Sequence, residues 1–429
     1  MPKNFIEELR WRGMLQDIMP GTEELLEKEM VTGYVGFDPT ADSLHVGSMI
    51  PILLLMHLQR AGHKPVALVG GATGMVGDPS GKSDERNLLD EETLNKNVAG
   101  VKAQLEKFLD FDSGENSAVM TNNYDWMKEF SFIEFIRDVG KHMTVNYMSA
   151  KDSVKKRLED PKKGMSFTEF SYQLLQGYDF FHLYDKMNCK LQMGGSDQWG
   201  NITTGTELIR RKTGGEGFAF TCPLMTKADG GKFGKTETGT IWLDPKKTSA
   251  YDFYQFWVRT SDLDASKYIR TFTFLPKEEI EKLEAEHEKD PGARSLQKKL
   301  ADEISVMVHG REAVDIALKA AKILYGKSTS EDIVSLSESE FLEIFDGVTQ
   351  AKVSKSDIDA GLGIIDALAA KTGFLKSNGE ARRELKGNAI SVNKAKVGDD
   401  YVISPKDLIN DKMVLLSKGK KTNFILIVE

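Results

Sequence analysis

Two short segments carry residues suited to handling a phosphate. In Pro39-Thr40-Ala41-Asp42-Ser43-Leu44-His45-Val46-Gly47-Ser48, a His-x-Gly turn opens a predicted helix. Helix starts present free N–H groups and a partial positive charge. Gly47 permits close backbone approach, and Thr40 and His45 can donate hydrogen bonds to phosphate oxygens. The second segment, Lys227 to Glu237, contains Lys232-Phe233-Gly234-Lys235-Thr236. Its lysines and glycines make a cationic flap, suited to the charge that develops on a departing pyrophosphate. Together the segments read as two halves of one ATP-handling site. The loop from Gly70 to Ser83 fails as a phosphate-cradling P-loop, because the first glycine of that motif would fall at Val76. It still supplies Asp78 and Lys82, with Arg86 following.

Ser166 to Lys186 carries different information. Ser166 and Glu169 form a capping box, so a helix start is well signalled. Phe167, Phe170, Leu174, Leu175, Phe180, Phe181 and Leu183 make the helix apolar over most of its circumference, which predicts burial. Tyr172, Gln176 and Asp179 interrupt that surface at spacings of four and three, so they share one face. A polar stripe on a buried helix faces either an internal hydrogen-bond network or a ligand pocket, since lone buried polar groups cost about 1–3 kcal/mol each.

The elements that must position these residues alternate. Strands are predicted at 33–37, 64–69, 117–121, 189–193 and 218–225, with helices near 47–61, 91–109, 167–187 and 198–212 between them. That alternation predicts an α/β fold with a doubly wound, parallel, Rossmann-like sheet, which binds ligands beyond its C-terminal strand ends. After about 248 the pattern is helical, with a core-forming aromatic cluster at Tyr251, Phe253, Tyr254, Phe256 and Trp257. The expected domains are 1–248, 249–325 (α-helical), a Ser- and acid-rich connector at 326–350, and a small α+β unit at 351–429.

With 57 Lys plus Arg against 65 Asp plus Glu, the formal net charge is −8. This argues against a general nucleic-acid coating protein while allowing a local basic surface. Residues 351–429 carry about +4, the rest about −12. Cys189 and Cys222 stand in no metal or redox spacing, and the histidines do not cluster, so no protein-held metal is expected. The N-terminus has no targeting pattern and no window reaches membrane-span length, so a cytoplasmic protein is expected.

The whole chain resembles the bacterial tyrosyl-tRNA synthetases, which are class I aminoacyl-tRNA synthetases. The resemblance runs through Tyr34 to His45, Gly70 to Arg86, Asn123-Tyr124-Asp125-Trp126, Asp138 to His142, Ser166 to Tyr172, Gly194 to Ile202 and the Lys232–Thr236 loop. It implies activation of L-tyrosine by ATP with Mg²⁺, transfer to tRNA(Tyr), a homodimer formed through an insertion at 124–160, and a C-terminal RNA-binding domain. On matching positions, Tyr34 and Asp179 would hold the tyrosine hydroxyl. Asp78, Tyr172 and Gln176 would hold its α-ammonium, with Gln198 near the carboxylate. Gly36, Asp38, Gly195 and Asp197 fall on the adenosine side. Thr40, His45 and Gly47 would face the phosphates. Lys82, Arg86, Lys232, Lys235 and Thr236 would close over the pyrophosphate. Two departures stand out: Ser48 ends the His-x-Gly-His pattern, and Val35 replaces a Cys found in some members. A non-catalytic RNA-binding relative would have lost Thr40, His45 or the loop lysines. A tryptophanyl relative is the closer alternative, against which the Tyr34/Asp179 pair speaks.

Overall fold

In the computed structural model the described residues are 4–80, 89–159, 164–231, 233–236, 239–325, 329–345, 348–419 and 422–429. Lys82, Arg86 and Lys232 lie outside them, as does the side chain of Thr236. Two compact units divide between Val308 and His309.

In the first unit, β1 (Thr32–Phe37), β2 (Lys64–Val69), β3 (Val119–Asn122), β4 (Cys189–Gly195) and β5 (Phe218–Cys222) form one sheet in the order β3-β2-β1-β4-β5. Every neighbouring pair is parallel. The period-two alternation of strand side chains sorts them onto two faces. Val35, Ala67, Val69, Leu191 and Met193 join the core under helix Met49–Arg60. Tyr34, Val66 and Leu68 pack with Phe180, Leu183 and Ile209, from helices Phe167–Met187 and Trp199–Thr213. Both faces are therefore covered, which is why β2 reads as an unbroken apolar run. Fully burying each such aliphatic side chain contributes about 1.5–3 kcal/mol. The strand order switches between β1 and β4, and a crevice opens there beyond the strand ends.

Helix Phe167–Met187 starts as predicted: Ser166 Oγ accepts from Glu169 N at 3.2 Å, and Glu169 Oε2 accepts from Ser166 N at 3.2 Å. It ends at Asn188, which adopts a left-handed cap with φ 50°. Burial is less complete than its composition suggests. Phe167 is 68% exposed, because the first turn runs past the partners that cover Phe180 and Leu183. Phe170 and Leu174 pack instead on Val139, Met143, Met148 and Leu208, mostly in the stretch 124–159.

No division falls near 248. One apolar core runs from the sheet through Phe253, Trp257 and Phe272 to Leu300 and Ile304. Residues 326–350, expected as a connector, contain helices Ser330–Val334 and Glu338–Ile344. Ile333, Leu336, Phe341 and Phe345 bury against Ile409, Met413, Leu415 and Ile425 of the second unit. Helix Arg311–Tyr325 also belongs to that unit, not with the helices that follow 248. The second unit holds a five-stranded sheet of Gln350–Val353, Ile390–Val392, Ala395–Lys396, Met413–Lys418 and Thr422–Val428. Helix Asn378–Lys386 buries Ala381 and Leu385 and is capped by Ser377. Among the described residues, no helix is long and apolar enough to cross a membrane.

Candidate active site

A cavity of about 280 Å³ opens where the strand order switches. Tyr34, Gly36, Asp38, Thr40, His45, Asp78, Tyr172, Gln176, Asp179, Gly195, Asp197 and Gln198 all line it. Gly47 and Lys235 are not part of the lining.

The polar stripe on helix Phe167–Met187 faces this cavity and is bonded to the strands and loops opposite. Asp179 is 1% exposed. Its Oδ2 accepts from Asn123 Nδ2 at 2.9 Å and its Oδ1 from Trp126 Nε1 at 2.8 Å. Asn123 continues to Thr73 Oγ1 at 3.1 Å, and Thr73 donates to Asp38 Oδ1 at 2.7 Å. Tyr172 closes the chain by donating its hydroxyl to Asp38 Oδ2 at 2.8 Å. Nothing in the sequence assigns a role to Thr73, Asn123 or Trp126. They are single polar or aromatic residues in or beside one-turn helices, Thr73–Val76 and Tyr124–Met127, too short for any periodicity to mark them.

One hydroxyl stands outside this network. Tyr34 Oη is buried without a hydrogen-bond partner among the described residues. Burial first, and the Asp179 charge second, hold its pKa well above the usual phenol value. An unpaired buried hydroxyl costs about 1–3 kcal/mol, so a ligand that supplies a partner recovers that energy. Gln192, the Cα partner of Tyr34 across β1 and β4, also lines the cavity, and its Oε1 is likewise unpartnered among the described residues.

The other end of the cavity is a web of carboxylates and amides. Gln198 donates to Asp78 Oδ2 at 2.7 Å and to Asp197 Oδ2 at 3.3 Å. Asn201, one helical turn on, donates to Gln176 Oε1 at 3.0 Å and Gln198 Oε1 at 3.2 Å. Burial raises the Asp197 pKa; Gln198 works against that rise and Asp78 adds to it. Asp78 and Asp197 thus set two carboxyl groups at one end of the cavity, where a ligand cation would be welcome. Asn201 is a further site residue that the sequence alone does not single out.

At the rim, His45 Nδ1 accepts from Gly47 N at 3.0 Å. The ring crowds Gly47 so closely that a Cβ there would sit 2.7 Å from His45 Cε1. Loss of water around the ring, then repulsion from Lys235, lower the imidazole pKa. A neutral ring with an accepting Nδ1 carries its proton on Nε2, which makes His45 a donor at neutral pH. Ser48, which departs from the His-x-Gly-His pattern, helps to cap the same turn, since its Oγ accepts from His45 N at 3.5 Å.

Helix Glu91–Leu105 buttresses this turn along one face. Asn97 donates to Pro39 O at 3.0 Å; Gln104 accepts from Leu44 N at 2.7 Å and donates to Ser43 Oγ at 2.9 Å. The turn also bonds to the segment after the lysine loop, through Val46 N to Ile241 O at 3.0 Å and Leu243 N to Leu44 O at 2.9 Å. The two phosphate-type segments are thus neighbours in space.

Burial pushes the Asp179 carboxyl up to about 7, with Asn123 and Trp126 opposing the rise and Asp38 adding to it. A donor ligand favours the ionised form. Binding of a ligand hydroxyl at Asp179 is therefore expected to strengthen as pH rises from 6 to 8, with a loss approaching tenfold one unit below the pKa. The empty fold behaves oppositely: a carboxyl raised above its unfolded value of 3.8 loses stability as pH rises from there through about 7. Calorimetric titration at pH 6, 7 and 8 checks the binding arm; affinity that is flat or falls with pH contradicts it.

The comparisons with known proteins agree with this architecture. A family model described as "tRNA synthetases class I (W and Y)" matches residues 26–326. A second, described as "Tyrosine--tRNA ligase SYY-like C-terminal domain", matches residues 340–427. Fold and site together thus define a class I aminoacyl-tRNA synthetase. The tyrosine–tRNA ligase of Flavobacterium johnsoniae is 63% identical over 427 residues, 99% of each chain. That of Bacteroides thetaiotaomicron is 60% identical over 429 residues, covering 99% of this chain and 100% of the other. A crystal structure of a C-terminally truncated mitochondrial tyrosyl-tRNA synthetase from Aspergillus nidulans matches with a TM-score of 0.65 and 34% identity, covering 73% of this chain and 92% of that one. This chain belongs to the bacterial tyrosine–tRNA ligases. Identity at that level along the full length sets the tryptophanyl alternative aside.

Proposed function

We propose that this cavity activates L-tyrosine with ATP to give tyrosyl-adenylate and pyrophosphate, and then passes tyrosine to the terminal ribose of tRNA(Tyr). The observation that carries the division of labour is the buried Tyr34 hydroxyl beside Asp179, without a partner among the described residues. A phenol bound there can donate to Asp179 and accept from Tyr34, while a phenylalanine ring offers Asp179 nothing and leaves the Tyr34 hydroxyl unsatisfied. The α-ammonium falls to Asp78, Tyr172 and Gln176, and the carboxylate to the side of Gln198. Adenosine falls to Gly36, Asp38, Gly195 and Asp197, and the phosphates to Thr40 and His45.

The tyrosine carboxylate is already an anion at pH 7, so its attack on the α-phosphorus needs no general base. Acceleration comes from in-line positioning and from donors and cations around the pentavalent phosphorus. Mg²⁺ enters with ATP as part of that substrate. Lys235, beside His45, offsets charge on the leaving pyrophosphate; by resemblance Lys82, Arg86, Lys232 and Thr236 join it.

The same reading makes the protein a cytoplasmic homodimer. Phe132 and Ile133, on helix Phe132–Asp138, are 64% and 70% exposed, and adjacent exposed apolar side chains of this kind suit a partner surface. The basic stretch 351–429 would bind tRNA. Pure protein with Mg²⁺-ATP is expected to exchange pyrophosphate into ATP in the presence of tyrosine and of none of the other nineteen amino acids at comparable concentration. Absence of tyrosine-dependent exchange sinks the proposal.

A further inference from the structure

Between the two lysines of the loop stands an aromatic residue with no part in the chemistry. Phe233 inserts into a nest of four rings from helices Ala250–Val258 and Asp262–Phe272. It stacks on Phe272 at 5.3 Å and 18°, meets Tyr268 edge-on at 5.2 Å, and touches Phe256 and Trp257 with centroids at 5.9 Å. The neighbouring loop is fastened to the same helices, since Ala228 N donates to Asp264 Oδ1 at 2.9 Å.

The next residue is held from the other side. Gly234 has φ +76°, and a Cβ there would lie 2.6 Å from Val46 Cγ2. Its carbonyl accepts from Ile241 N at 3.1 Å, and Ile241 O accepts from Val46 N at 3.0 Å. Two consecutive residues are therefore gripped, one by the aromatic nest and one by the His45-Val46-Gly47 turn. The backbone of Lys235 leaves directly from that double grip.

We propose that Phe233 is a positioning residue for adenylate formation: its ring, seated among Phe256, Trp257, Tyr268 and Phe272, holds Lys235 in register with His45. This rests on the reading of Lys235 as a cation for the leaving pyrophosphate. A lone Gly-rich loop would leave a lysine ammonium spread over many positions, whereas misplacement by about 1 Å is enough to cost about 10²-fold in rate. Aromatic rings buried against one another have few alternative arrangements, so the nest converts a flexible segment into one with a defined end point.

The test is a double-mutant cycle on single-turnover adenylate formation, with tyrosine affinity measured alongside. Phe233→Ala is expected to slow the step by about 10²-fold while tyrosine affinity changes less than about twofold. Phe233→Met refills the nest with a flexible side chain that contacts rings through sulfur, and is expected to restore most of the rate. In a Lys235→Ala background, Phe233→Ala should add less than about twofold, because a residue acting through Lys235 has nothing left to position. Undiminished, multiplicative losses in the double variant overturn the proposal, as does a normal rate in Phe233→Ala when Lys235→Ala is slow. A normal rate in Lys235→Ala itself overturns the reading of Lys235.

Discussion

Asp179→Asn should lower kcat/KM for tyrosine by about 10- to 10²-fold, while barely changing the residual activity toward phenylalanine. The substitution keeps shape and removes charge. Both Asp179 oxygens already accept, one from Asn123 and one from Trp126. An amide has a single accepting end, so its NH₂ must meet one of those donors. A buried donor facing a donor costs about 1–3 kcal/mol, and losing a hydrogen bond to a charged group costs about 1.5–3 kcal/mol. The first cost falls on the stability of the protein whichever amino acid is bound; the second is felt by tyrosine alone and, at about 1.4 kcal/mol per tenfold, carries the expected drop. Phenylalanine has no hydroxyl to lose a bond, which makes it the internal control. Exchange kinetics with both amino acids decide the matter; tyrosine affinity that survives Asp179→Asn refutes the assignment.

The second large effect is expected at a residue outside the cavity lining. Gly100, mid-helix in Glu91–Leu105, lies against the backbone of the Pro39–His45 turn. A Cβ there would press into the Asp42 carbonyl, with the carbonyl carbon 2.9 Å away. The contact is with main chain, which cannot rotate aside as a side chain can. Gly100→Ala is therefore expected to destabilise the fold by about 1–3 kcal/mol, the usual cost of overpacking, even though alanine is the better helix former. Asn97 and Gln104 pull the same turn onto the helix on either side of Gly100, so the strain is passed to Thr40 and His45. A shift of about 1 Å there slows adenylate formation by about 10²-fold. Denaturant melts and single-turnover rates measure the two effects. A variant as stable and as fast as the parent shows that the turn is not held by this contact.

Much of the sheet was legible from the chain alone. The β2 strand, Lys64–Val69, and the helix Phe167–Met187 fall where the apolar run and the capping box put them. Tyr172, Gln176 and Asp179 were legible because spacings of four and three on a helix leave a visible stripe. The buttressing face of Asn97, Gly100 and Gln104 has spacings of three and four as well, but it is small and polar and produces no hydrophobic pattern. Thr73, Asn123 and Trp126 carry no spacing signal at all, since their contacts are set by the packing of two separate one-turn helices. The stretch 326–350 reads as a connector for a compositional reason. Its Ser and acidic residues mask the apolar side chains, Ile333, Leu336, Phe341, Ile344 and Phe345, that bury themselves in the second unit.

The hydrogen-bonded chain from Trp126 through Asp179, Asn123 and Thr73 to Asp38 and Tyr172 has a consequence for how such a sequence can drift. Every internal member both satisfies and is satisfied by its neighbours. A single replacement leaves a buried donor or acceptor stranded, and the protein is poorer before it is different. A descendant that activates another amino acid must alter several of these positions together, on elements far apart in the chain. The choice of tyrosine is thereby protected by a valley in sequence space as well as by the fit of one pocket.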